Sequence, residues 1–101
     1  MREQSMNNEE RDKQFFEMAD QFIELANQQC DKQPSGKVAL GMQFAVARFN
    51  AFIFASMSKD LEQFRKERDV AIEYFTGQFR KAFEENLNDY EKNFNDYVGK
   101  S

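Results

Sequence analysis

KVALGMQFAVARFNAFIFASM, residues 37–57, is the stretch whose reading decides the fold. It is long enough to cross a bilayer. However, Gln43, Arg48 and Asn50 lie inside it, and Lys37 and Lys59 flank it at both ends. A charge near the bilayer centre costs about 2.5–3.5 kcal/mol on insertion scales, and matched basic flanks give no orientation. A core helix is therefore the preferred reading, and no membrane partner is expected. As a helix it has one apolar face formed by Val38, Met42, Ala45, Val46, Phe49, Phe52 and Ile53. A second face carries Leu40, Phe44, Ala47, Ala51 and Phe54, and narrow polar stripes (Gln43 with Asn50, Lys37 with Arg48) separate the two. A helix apolar on two sides is expected to be buried between neighbours.

Toward the N-terminus, KQPSG at residues 32–36 holds the one proline and marks a break, with Ser35 a candidate cap for the following helix. Before it, Phe15, Met18, Ala19, Phe22, Ile23, Ala26 and Cys30 recur at helical spacing and predict a helix over 8–31. Glu17, Asp20, Glu24 and Asp31 lie on its far side, and Asn7 with Glu10 reads as a capping box. Toward the C-terminus, Ser56 to Lys59 is a second break, with Ser58 as candidate cap. A third helix, about 60–95, carries Leu61, Phe64, Ala71, Ile72, Phe75, Phe79, Ala82, Phe83, Leu87, Tyr90, Phe94 and Tyr97. Its pattern falters at Arg65 to Asp69 and again at Gly77, so the second helix could instead run to about residue 68.

These elements make an all-α fold, a three-helix bundle with a central apolar second helix and a long third helix. Residues 1–7 form a flexible tail, 8–97 a single helical domain and 98–101 a C-terminal tail. At 1.5 Å per residue an unbroken third helix outruns its partners. It therefore either bends near 65–69 or packs its end on another chain. Leu87, Tyr90, Phe94 and Tyr97 have the 3-4-3 spacing of a coiled-coil seam and are the candidate interface for self-association.

The chemistry left to the chain is narrow. With no His and one Cys among 101 residues, His-based acid–base catalysis, Cys/His dyads, most zinc sites and Cys-x-x-Cys chemistry are out of reach. Four scattered glycines make no phosphate loop or dinucleotide fingerprint. No catalytic residue, metal or cofactor is expected. A net charge of −4 argues against a general nucleic-acid binder. The basic run Arg65, Lys66 and Arg68, with Arg80 and Lys81, reads first as surface salt bridging with Glu62, Glu67 and Asp69, and second as the phosphate contact of a nucleic-acid-associated regulator. Glu84, Glu85 and Asp89 read as a solvated face, because one helix face offers a cation too few convergent oxygens. A lone Cys30 permits no internal disulfide, so a reducing compartment, the cytoplasm, is expected, and its thiol reads as a small buried hydrophobe.

Arg48 and Asn50 are the most informative polar residues. A guanidinium in an apolar helix is paired or sits at the water's edge. One reading is a structural bridge from Arg48 to Glu73 or Glu84. The other is a small-ligand site in which Arg48 and Asn50 join Tyr74 or Tyr90.

The segments FEMADQFIELAN (16–27), ARFNAF (47–52), AIEYF (71–75) and EENLNDY (84–90) together resemble a small bacterial family of short helical proteins of unknown function. The resemblance covers about residues 15–90. It implies a bacterial helical protein and supplies no activity. A non-enzymatic interaction module, working as a homodimer, is the function the sequence supports best.

Overall fold

The structure, a computed structural model, describes residues 8–99. Every element among them is a helix: α1 (Asn8–Cys30), α2 (Ser35–Met57), α3 (Leu61–Lys92) and the short α4 (Phe94–Val98). The fold is all-α, and its three long helices follow the order and nearly the bounds that the apolar periodicity sets. The Asn7 cap and the two tails lie wholly or partly outside the described residues.

The breaks have identifiable causes. α1 unwinds through turn bonds from the amides of Asp31, Lys32 and Gln33 to the carbonyls of Gln28 and Gln29. Gln33 precedes Pro34, whose ring disfavours helical backbone in the residue before it. α2 then begins one residue earlier than a Ser35 cap would place it. Pro34 occupies the capping position, and its carbonyl accepts the Val38 amide at 3.1 Å.

Ser58 does not cap α3. Its hydroxyl donates back to the Phe54 carbonyl at 2.9 Å, closing the end of α2. The cap is Asp60, whose carboxylate accepts the Gln63 amide at 2.9 Å. The Gln63 side chain returns the contact by accepting the Lys59 amide at 2.5 Å. This reciprocal pair is a capping box displaced by one residue on its return arm.

α3 runs without interruption through both places where the sequence pattern falters. Arg65, Lys66 and Glu67 are good helix formers, and their charges need no burial. Gly77 is absorbed within a helix of 32 residues. The interruption comes at Asn93, short of the expected end near residue 95. Its backbone leaves helical geometry (φ −119°, ψ 33°) while its amide still reaches the Asp89 carbonyl at 3.0 Å. α4 closes on Gly99, which adopts the left-handed φ of 73° that glycine takes without steric penalty.

The chain forms two compact units, Met1–Arg48 and Phe49–Ser101. In the first, Ala19, Ala26 and Val38 are the half-buried positions; the side-chain contacts seen on α1, Arg11 with Asn8 and Phe15 with Phe16, are internal to it. In the second, Ile53, Phe54, Phe64, Ala71 and Phe75 are half-buried, and the Phe54 and Phe64 rings join α2 to α3 at 5.0 Å. No described residue is fully buried. That corrects the expectation of a buried second helix and of a buried Cys30, which is exposed. Periodicity marks a face as apolar and does not record what lies against it.

Asp60→Ala is expected to lower stability by about 1 kcal/mol, the usual worth of an N-cap. Urea unfolding of this variant beside Ser58→Ala measures it, and the serine variant is expected to change less.

Candidate interaction surface

Three features of the second unit stand out as candidate surface. The first is an open groove of about 570 Å³ lined by Ile53, Phe54 and Met57 of α2 and by Val70, Ala71, Tyr74 and Phe75 of α3. Ser58 and Glu67 add its polar edge. Tyr74 packs edge-on against Phe75 at 5.2 Å, which orients its ring at the groove.

The second is a stripe along α3: Ile72, Phe79, Phe83, Leu87 and Tyr90. Phe79 and Phe83 stack at 5.6 Å, yet are 54% and 53% exposed. At 100° per residue the stripe is centred roughly 140° round the helix from the groove residues. It therefore faces away from the α2 segment of its own unit.

The third is the C-terminal turn, organised by Asp89. Its two carboxylate oxygens accept the Asn93 amide group at 2.9 Å and the Tyr97 hydroxyl at 2.8 Å. Tyr90 and Tyr97 lie ring on ring at 4.5 Å. A continuous helix would set residues seven apart about 10 Å from each other along the axis. The break at Asn93 is what brings them together. Leu87, Tyr90, Phe94 and Tyr97 are thus not one unbroken helical seam: Leu87 and Tyr90 end α3, while Phe94 and Tyr97 lie on α4. All four are exposed.

The remaining candidates are placed as follows. Arg48 is exposed and has no hydrogen bond or ion pair among the described residues; Glu84, one of its expected partners, pairs instead with Arg80 at 3.5 Å on its own helix. Asn50 is half-buried. Tyr74 and Tyr90, sixteen positions apart on the uninterrupted α3, are separated by about 24 Å along the axis. They do not line one small pocket. Arg65 and Lys66 line a shallow groove together with Asp60, Glu62 and Glu67, so carboxylates are interleaved with the cations. No group of three or more metal-ligating side chains occurs among the described residues.

Sequence reading missed Val70 and Met57, which lie off the main apolar stripes, and the organising role of Asp89. The repeat Asn88-Asp89-Tyr90 and Asn95-Asp96-Tyr97 was the available signal for that turn.

Residues 15–90 match the family described as protein of unknown function, DUF3144, and the chain belongs to that family. Among solved structures it is similar to the NMR structure of the protein NB7890A from Shewanella sp, with 28% identity and a TM-score of 0.71. That match covers 84% of this chain and 91% of the other. No curated protein matches.

The contact with Asp89 raises the Tyr97 pKa above its ordinary value of 10.0: the carboxylate binds the phenol proton and repels the phenolate. A proton held more tightly in the folded state stabilises it below the ordinary phenol range. That contribution is lost as pH rises through the raised Tyr97 value. Following tyrosinate absorbance against pH, Asp89→Asn is expected to bring one tyrosine back toward the ordinary range.

Proposed function

We propose that this chain is a non-enzymatic protein-interaction module that acts as a homodimer in the cytoplasm. The observation that carries the reading is the absence of any fully buried side chain among the described residues. Among the described residues Phe16, Phe44, Phe52 and Val70 are each more than 60% exposed. Exposed apolar patches on soluble monomers rarely exceed a few hundred Å². A second copy is the simplest cover, since homodimers present the same apolar surface twice. The single thiol, with no partner for an internal disulfide, supports a reducing compartment.

A second reading has one specific observation in its favour. α2 is the one helix among the described residues long and apolar enough to cross a membrane, and none of it is buried. Against it stands Arg48, which a bilayer would have to bury or draw to its edge. The small-ligand alternative keeps the unpaired Arg48, but neither groove described above is lined by Arg48 or Asn50.

Light scattering tests the proposal. The expected mass is twice that of one chain, in buffer without detergent and with no co-flotation on phospholipid vesicles. A monomer in buffer would contradict the dimer, and recovery only with vesicles would favour the membrane reading.

A further inference from the structure

The dimer proposal leaves open which surfaces meet, and the inference below rests on that proposal. In the second unit the α2-lined groove ends at Phe75. Beyond it, residues 76–92 extend α3 by about 25 Å, and within the same unit the element beside them is the five-residue α4. Phe79, Phe83, Leu87 and Tyr90 run along this overhang, and their stripe points away from the groove. Together with Phe94 and Tyr97 on α4, half-exposed side chains of this size from two copies offer about 1,000 Å², the threshold of a specific interface.

We infer that the distal half of α3 pairs antiparallel with the same segment of a second copy, about a two-fold axis beside Asn86. The charge along the segment sets the direction. Arg80 and Lys81 stand at its start, whereas Glu84, Glu85, Asp89, Glu91 and Asp96 outweigh Lys92 toward its end. Parallel pairing would lay the acidic ends side by side. Antiparallel pairing lays each acidic end along the basic start of the other copy, with Arg80 level with Glu91 of the second copy. That register puts Asn86 within about one residue of the axis. Asn86 borders the apolar stripe, about 20° round the helix from Phe79, and its amide group already bonds back to the Ala82 carbonyl at 2.8 Å. A polar residue in a seam commonly fixes its register. The C-terminal turn points the same way. Tyr97 is held over Tyr90, so α4 thickens the end of the stripe. Antiparallel copies place that thick end against the thin start of the partner, whereas parallel copies would set two thick ends together.

Oxidative cross-linking of single-cysteine variants tests the pairing, in the full chain with Cys30→Ser as background. A disulfide forms when Cα atoms come within about 7 Å. Asn86→Cys is expected to cross-link to its own counterpart. Thr76→Cys, also on the stripe side of α3, would lie about 28 Å from its counterpart along the axis. Covalent dimer from Asn86→Cys is therefore expected to exceed that from Thr76→Cys by about tenfold or more, given that distance limit. Cross-linking through Thr76→Cys, or through neither site in a protein that light scattering shows to be a dimer, would overturn the antiparallel pairing and leave the dimer standing. A monomeric background protein would overturn both.

Discussion

Apolar surface that folding does not remove from water is the constraint on which the rest of this structure depends. Transfer out of water contributes about 25 cal/mol per Å². It is the main favourable term set against the entropy of ordering each residue. The helices here present aromatic side chains on several sides, yet between the α2 segment and α3 of the second unit the ring contact is Phe54 against Phe64, with Ile53, Ala71 and Phe75 nearby. The proposed dimer follows from that imbalance.

Local polar contacts determine where the helices begin and end, and through this which apolar faces remain free. The Asp60–Gln63 exchange starts α3 so that Phe64 meets Phe54. Ser58, bonded back to α2, keeps the connection short. At the other end Asp89 holds Asn93 and Tyr97, so α3 stops and α4 folds against its last turn. These contacts are exposed or half-buried and individually small. Their effect is geometric: they aim the stripe of Phe79, Phe83 and Leu87 away from the helix that precedes it.

Much of this was legible in the sequence. The 3.6-residue spacing of Phe15, Met18 and Phe22 marked α1, and the run from Val38 to Met57 marked α2 within two residues. The single proline located the first break. The start of α3 was placed within a residue, but its cap was misassigned because Ser58 resembles a cap as well as Asp60 does, and only the Gln63 contact separates them. The stop at Asn93 has no glycine or proline to announce it. What covers the apolar faces was not legible, because periodicity records which side of a helix is apolar and not what lies against it. Arg48 shows the same limit. The sequence marked it as an ion that is either paired or at the water's edge, and in the chain it stands exposed.

The most direct measurement is helicity by circular dichroism across a dilution series, with thermal unfolding at each concentration. If association supplies the missing core, the unfolding temperature rises with protein concentration, and helicity falls together with the dimer on dilution. Constant helicity and a concentration-independent unfolding temperature, in a chain that light scattering shows to be monomeric, would contradict the account.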